Sequence, residues 1–419
     1  MEYGLIGEKL GHSFSKTVHN QIADYEYELK EISRGELSSF MEKRDFKAIN
    51  VTIPYKQDVI PYLHYIDDAA VEIGAVNCIV NRTGLLYGYN TDYLGARDMI
   101  RYAGMDFTGK KILILGTGGT CRTLSYVSRK LGAAEIHKVS RSGKDGAITY
   151  DEAYNKHSDA DVIINTTPVG MYPANYDAPV DLSRFPAISG VVDVVYNPLR
   201  TKLIMAAASR GIKTTCGLYM LVAQAVYAAA LFDPSIFEGK DDNYKTEIIS
   251  GIFRRTLSEK ENIVLTGMPG CGKSTLGQYL SEKTGRIVYD TDVLIRQKEK
   301  KEISDIFKDS GEKAFRRMET SVIKDISGKS GIIISTGGGA VLSSENTDAL
   351  RQNGRIYFID RSLENLKATS DRPLSSDFSQ LKARYEERYD IYLSTCDVHI
   401  NGDQPIESEV KDIYEASCN

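Results

Sequence analysis

The sequence predicts an α/β protein with parallel sheets, built as two successive modules, and three observations carry that prediction. Gly267-Met268-Pro269-Gly270-Cys271-Gly272-Lys273-Ser274-Thr275 lies between an apolar run, Ile263-Val264-Leu265, and a helical stretch, Leu276-Gly277-Gln278-Tyr279-Leu280. That is the strand, glycine-rich turn and helix of a P-loop. A second strand–turn–helix lies upstream: Lys110-Lys111-Ile112-Leu113-Ile114-Leu115, then Gly116-Thr117-Gly118-Gly119, then a helix to about Leu131. Before it, short apolar strands alternate with helical patterns, as in a parallel or mixed sheet. A P-loop ordinarily opens its domain, so this 419-residue chain divides near residue 258 into a long first part and a smaller second one.

In the first segment, 1–102, strands are expected at Tyr3–Ile6, Tyr27–Glu31 and Ala48–Thr52, with a helix from about Ser15 to Tyr25 and another after Glu31. Gly11-His12-Ser13-Phe14-Ser15 places two hydroxyls just ahead of the first helix, where Ser15 could serve as its cap. Asn50-Val51-Thr52-Ile53-Pro54-Tyr55-Lys56 is a strand ending in proline, with a lysine just past its end. Gly74-Ala75-Val76-Asn77 and Gly88-Tyr89-Asn90-Thr91-Asp92 supply an asparagine and an aspartate in turns. Singly, each has an ordinary structural use.

As an ordered set, these motifs resemble the shikimate dehydrogenase family, with its His-Ser-x-Ser-Pro, Asn-Val-Thr-x-Pro-x-Lys, Gly-Ala-Val-Asn-Thr and Asn-Thr-Asp. The resemblance implies that Ser13, Ser15, Thr52, Asn77 and Asp92 hold the carboxylate and hydroxyls of shikimate, with Lys56 and Asp92 as the catalytic pair. The chemistry is sound on its own terms. Hydride reduction of a ketone creates an oxyanion, which a lysine oriented by an aspartate can protonate. Lys16 stands where the family has proline, and Cys78 where it has threonine.

The second segment, 103–217, reads as a Rossmann-like lobe. Gly116, Gly118 and Gly119 precede a helix whose N-terminus can take a pyrophosphate, although Cys121 occupies the third glycine's place. The family has Gly-x-Gly-Gly-Ala-x-Arg here, and Thr120 is the conspicuous change. The next strand, Glu135–Val139, ends in Ser140-Arg141-Ser142-Gly143-Lys144. NAD wants an acidic residue at that point; Ser140, Arg141, Ser142 and Lys144 suit the 2′-phosphate of NADP. By resemblance, Thr166 and Thr167 line the cofactor side, Tyr196 the substrate side, Gly217 lies near the nicotinamide, and Gln224 reaches the substrate. Helices from about 218 to 256 are expected to pack back on the first lobe.

Glu247–Thr256 reads as a short amphipathic helix, followed near Leu257–Asn262 by a short charged linker. Within the P-loop, backbone N–H groups of Gly270, Cys271, Gly272, Lys273, Ser274 and Thr275 can converge on ATP phosphates. Lys273 reaches the β/γ-phosphates and Ser274 can hold Mg²⁺. Asp290-Thr291-Asp292 ends the next strand with two carboxylates, suited to one metal-facing and one substrate-facing role. Gly311-Glu312-Lys313-Ala314-Phe315-Arg316-Arg317-Met318-Glu319, Gly337-Gly338-Gly339 and Arg372-Pro373-Leu374 follow in order. This set resembles shikimate kinase over 258–419, a nucleoside-monophosphate-kinase-like fold. The resemblance implies Asp290 at Mg²⁺, Asp292 on the shikimate hydroxyls, Arg316, Arg388, Gly338 and Gly339 around the substrate, and Arg372 on a lid (about 363–378) reaching the transferring phosphate. Arg317 and Arg384 are expected on a solvated helix face. The lid stretch is short, and the family's adenine-contacting arginine upstream of Arg-Pro-Leu has no clear counterpart; Lys367 is a poor substitute.

With 42% apolar and 26% charged residues, a net charge of −5, no membrane-length apolar run and a start, Met1-Glu2-Tyr3-Gly4, unlike a signal peptide, the composition predicts a cytoplasmic protein acting on small molecules rather than on nucleic acid or membrane. The six scattered cysteines read as free thiols, with Cys271 a small filler in its loop. The two resemblances meet on one metabolite. They imply an enzyme reducing 3-dehydroshikimate with NADPH and phosphorylating shikimate with MgATP. Two other readings stand beside this one: an NAD-dependent quinate/shikimate dehydrogenase fused to a different small-acid kinase, or a fusion in which one half only senses ligand.

Overall fold

The computed structural model describes residues 1–11, 13–366 and 378–418; the side chains of 242 and 378–380 also lie outside the description. The chain forms two compact units, Met1–Asn197 with Thr201–Thr256, and Pro198–Arg200 with Leu257–Asn419.

The first unit carries two sheets. Strands β1 (Tyr3–Gly7), β2 (Tyr27–Glu31), β3 (Ala48–Val51), β4 (Tyr65–Ile66), β5 (Cys78–Arg82) and β6 (Leu85–Tyr89) form a mixed sheet in the order β2-β1-β3-β5-β6-β4. Strands β1, β2 and β3 are parallel, β5 runs antiparallel to both β3 and β6, and β4 pairs parallel with β6. Around it lie α1 (Ser15–Ile22), α2 (Leu37–Lys43), α3 (Asp68–Ile73) and α4 (Asp92–Tyr102). The second sheet is wholly parallel: β7 (Lys111–Leu115), β8 (Glu135–Val139), β9 (Val162–Asn165), β10 (Gly190–Asp193) and β11 (Lys213–Cys216), in the order β11-β10-β9-β7-β8. Its central strands β7, β9 and β10 are near-continuous aliphatic runs, as strands covered on both faces require. The chain leaves β7 to one side and later returns on the other. The loops after β7 and β9 therefore border the switch-point crevice where such sheets bind ligands.

Helices α5 (Gly119–Lys130), α6 (Tyr150–Lys156), α7 (Lys202–Ala208), α8 (Gly217–Phe232) and α9 (Asp242–Lys260) complete the unit's connections. Helix α8 is apolar on nearly every face and lies against α1 and α4. A Cβ at Gly95 of α4 would come within 2.6 Å of the Met220 carbonyl, so this glycine lets the two backbones close. Burial of side chains such as Met99, Ile100, Val222 and Val226 there contributes about 1.5–3 kcal/mol each.

The second unit has one parallel sheet, β12 (Asn262–Thr266), β13 (Val288–Asp290), β14 (Ile333–Ser335), β15 (Gly354–Asp360) and β16 (Val398–Asn401), ordered β13-β14-β12-β15-β16. Its helices are α10 (Lys273–Thr284), α11 (Thr291–Glu299), α12 (Ile303–Ser327), α13 (Ser344–Asn353), α14 (Phe378–Thr395) and α15 (Ile406–Cys418). Helix α12 breaks at Gly311 (φ 74°, ψ 171°), a backbone conformation that favours glycine, and so re-aims the turn that carries Arg316.

Three expectations change. Ser15 does not cap α1: it is the first helical residue, Phe14 holds the cap position, and the Ser13 hydroxyl accepts from the Ser15 N–H at 3.2 Å. The helix read as Glu247–Thr256 runs from Asp242 to Lys260, so 257–260 of the expected linker is helix; one glycine, Gly251, and no proline interrupt that stretch. Arg384 is half-buried rather than on a solvated face, and burial together with the charge of Arg388 lowers its pKa. Among the described residues no helix is long and apolar enough to cross a membrane.

Candidate active sites

In the first unit, the turn after β3 delivers Lys56, and α4 begins on Asp92. Lys56 Nζ donates to Asp92 Oδ2 at 2.6 Å, with side chains 18% and 13% exposed, open enough for a ligand and dry enough for a strong pair. Behind the pair, Asn77 accepts from the Thr91 N–H (2.6 Å), and its amide donates to the Thr91 hydroxyl (3.0 Å) and to Gln224 Oε1 (3.4 Å). Asn90 ties the same loop to the Ala75 carbonyl. Lys56 with Asp92, and Asn77 with Gln224, are thus brought together. Ser13 and Ser15 form a separate hydroxyl pair at 3.0 Å, and the intervening Phe14 packs on the Tyr196 ring at 5.3 Å. Thr52 sits one residue past β3, its methyl 2.7 Å from where a Cβ on Gly7 would lie.

At the crevice of the parallel sheet, Gly118 caps α5, and a Cβ on Gly118 or Gly119 would meet nothing within 4 Å. Open space at a helix N-terminus fits a dinucleotide pyrophosphate. Gly116 has φ 109°, and its virtual Cβ would lie 2.7 Å from Thr166 Oγ1, which itself donates to the Leu115 carbonyl. Thr167 donates to Asn165 Oδ1 at 2.7 Å. In the turn after β8, the Ser140 and Ser142 hydroxyls accept from the Gly143 and Lys144 N–H groups, and Arg141 and Lys144 are exposed. Gly217 starts α8 so close to β10 that a Cβ would fall 2.0 Å from the Val194 carbonyl.

Asp193, which its sequence context did not single out, is fully buried at the end of β10. It accepts from Asn165 Nδ2 (3.0 Å), Val195 N–H (3.0 Å) and Thr201 Oγ1 (2.7 Å). Burial pushes its carboxyl up to about 6 against those three donors. A lone Asp closing an aliphatic strand was the available signal.

In the second unit, a cavity of about 940 Å³ is lined by the P-loop, Asp290, Asp292, Thr336 and Arg361. Lys273 Nζ donates to the Gly267 and Met268 carbonyls, both at 2.9 Å, and lies 3.5 Å from Cys271 Sγ. The Ser274 hydroxyl donates to Asp290 Oδ2 at 2.7 Å, while Asp290 Oδ1 caps α11 through the Asp292 and Val293 N–H groups. Two hard oxygen donors side by side fit Mg²⁺, which keeps most of its waters. Asp292 Oδ1 lies 2.9 Å, and Glu319 Oε1 2.7 Å, from the position of a Cβ on Gly337, and the Arg316 guanidinium would be as close to one on Gly339. Arg316 is held by Glu319 (2.8 Å) and Glu312 (3.1 Å). Glu319 lies three residues beyond Arg316, a helical spacing that could have revealed this partner. Arg388 donates to the Gly338 carbonyl at 3.3 Å, and its buried Nε has no hydrogen-bond partner among the described residues. Asp292, Arg316, Gly338, Gly339 and Arg388 therefore share one wall. Arg372, Lys367 and most of the lid stretch lie outside the described residues.

The family model for the shikimate dehydrogenase substrate-binding domain matches residues 5–79, and that for shikimate kinase matches 269–417. The NADP(+) shikimate dehydrogenase of Clostridium beijerinckii is 36% identical over 266 residues, covering 60% of this chain and 97% of that protein. The crystal structure of shikimate dehydrogenase 1 from Peptoclostridium difficile superposes with a TM-score of 0.55 at 35% identity, covering 61% of this chain and 98% of the other. A chorismate mutase/shikimate 5-dehydrogenase fusion from Clostridium acetobutylicum superposes with a TM-score of 0.56 at 34% identity, covering 61% and 96%. The chain belongs to the shikimate dehydrogenase family and carries a shikimate kinase domain behind it, so it is a fusion of the two.

Proposed function

We infer that the chain is a bifunctional enzyme, which reduces 3-dehydroshikimate to shikimate with NADPH and phosphorylates shikimate at its 3-hydroxyl with ATP. The observation that supports this reading is a pair of polar contacts, Lys56 with Asp92 in one unit and Ser274 with Asp290 beside the P-loop in the other.

In the first centre NADPH supplies the hydride. Lys56 gives its Nζ proton to the developing alkoxide, and Asp92 holds that ammonium in place. Asn77 and Gln224, fixed through Thr91, orient the ring hydroxyls, with Ser13, Ser15, Thr52 and Tyr196 on the remaining sides. Gly116, Gly118, Gly119, Thr166, Thr167 and Gly217 line the dinucleotide, and Ser140, Arg141, Ser142 and Lys144 receive its 2′-phosphate.

In the second centre MgATP supplies the phosphoryl group. Asp292 orients the accepting hydroxyl, and Arg316 and Arg388 clamp the carboxylate. Lys273 and the loop amides of 270–275 neutralise charge as it shifts. Ser274 and Asp290 hold the metal. The partners are these small molecules, neither nucleic acid nor membrane is engaged, and six free thiols support a cytoplasmic location.

The test is one coupled reaction: 3-dehydroshikimate, NADPH and MgATP together should yield shikimate 3-phosphate. Parallel runs with quinate and with NAD should turn over far more slowly. Equal turnover of quinate with NAD would sink the reading of the first unit.

A further inference from the structure

Arg361, just past the end of β15, is a residue that neither family motif accounts for. Its Nε donates to the Gly402 carbonyl at 2.6 Å and its Nη2 to Glu409 Oε1 at 2.8 Å. Glu409 is itself buried. Neither bond uses Nη1, which lies 3.6 Å from where a Cβ on Gly272 would be; the guanidinium carbon follows at 3.9 Å. Gly272 (φ 98°) is the last loop residue before α10, and Arg361 lines the same cavity as the P-loop and Asp290.

This is an expensive place for a cation. The N-terminus of α10 carries positive partial charge, Lys273 begins that helix, and Arg361 adds another positive group on the same side. Glu409 holds the guanidinium through Nη2 and so keeps it in place beside the loop. An anion in the loop would turn this repulsion into attraction, and an arginine held on two of its nitrogens loses little entropy in meeting it. Gly270, Gly272, Lys273, Arg361 and Ile406 line one cavity of about 940 Å³, within the size range of ligand pockets.

We propose that Arg361 is a nucleotide-binding residue of the kinase domain, contacting the phosphate chain of ATP or ADP over Gly272, in a chain that lacks the family's arginine ahead of Arg-Pro-Leu. This rests on the kinase reading of the second unit. The ligand it recognises is the polyphosphate and not the base.

Titration calorimetry on the full chain tests it, with MgADP and with adenosine as separate probes, for the unsubstituted protein, Arg361→Ala and Arg361→Lys. Arg361→Ala should weaken MgADP about tenfold, the loss of one charge-assisted contact, and leave adenosine unchanged. Arg361→Lys, which keeps charge and reach but not the fork, should fall between and serves if the alanine protein does not fold. NADPH oxidation by the first unit should persist in both variants. MgADP affinity within twofold of the unsubstituted protein overturns the proposal, as does an equal loss for adenosine. If the unsubstituted protein binds no MgADP, the kinase reading falls first and takes this one with it.

Discussion

Lys56 Nζ lies 2.6 Å from Asp92 Oδ2, across 36 residues of chain. The contact joins a turn after one strand to the first residue of a helix, and neither side chain has a structural task that requires the other. Replacing Lys56 with alanine should cut NADPH oxidation by about 10²–10⁴-fold, the usual range for a lost general acid. Shikimate phosphorylation in the same protein should be unchanged. Steady-state assays of both reactions on one preparation check this. Loss of both activities from a folded protein would show that the centres are not independent.

The reciprocal change acts on the P-loop. Lys273 is buried and donates to two carbonyls of its own loop, so Lys273→Ala removes both an ammonium charge from the P-loop and part of the loop's bracing. Phosphorylation should fall by at least about 10²-fold, as when one preorganised stabilising donor is lost. NADPH oxidation should stay within twofold. Lys273→Met, of similar length, should give the same split and separates charge from packing.

On the proposed reading, the turn after β8 selects the dinucleotide. Arg141 is exposed beside Ser140, whose hydroxyl is already committed to the Gly143 N–H. Arg141→Ala should raise KM for NADPH about tenfold while leaving KM for NADH nearly unchanged. If NADPH and NADH suffer equally, the turn is not the 2′-phosphate site.

Strands such as β7 and β12 were legible because they are short aliphatic runs closed by glycine, and the P-loop because its spacing leaves few other uses. The pairing of Lys56 with Asp92 could be named only through family resemblance. What stayed hidden depended on partners distant in sequence. Asp193 takes its meaning from Asn165, and Arg361 from Glu409, 28 and 48 residues away. Ser15 was misplaced because a serine ahead of a helix can cap it or begin it, and backbone angles decide which. Helix α9 was cut short because its charged C-terminal turns resemble a linker, although no strong breaker interrupts them.

Asp193 gives a prediction with a definite sign. Burial raises its carboxyl from 3.8 to about 6 in the folded protein, although Thr201, Val195 and Asn165 all donate to it. The folded state then holds the proton more tightly than the unfolded chain. The stability this adds is complete below pH 3.8 and is lost as pH rises through about 6, by about 3 kcal/mol over the window. Asp193→Asn cannot ionise, so its unfolding should lack this slope between pH 4 and 6, while its absolute stability drops because an amide nitrogen replaces an accepting oxygen. Thermal unfolding of both proteins at half-unit pH intervals measures it. Parallel profiles for the two would mean that Asp193 does not titrate in that range, and that its three hydrogen bonds hold the carboxylate charged throughout.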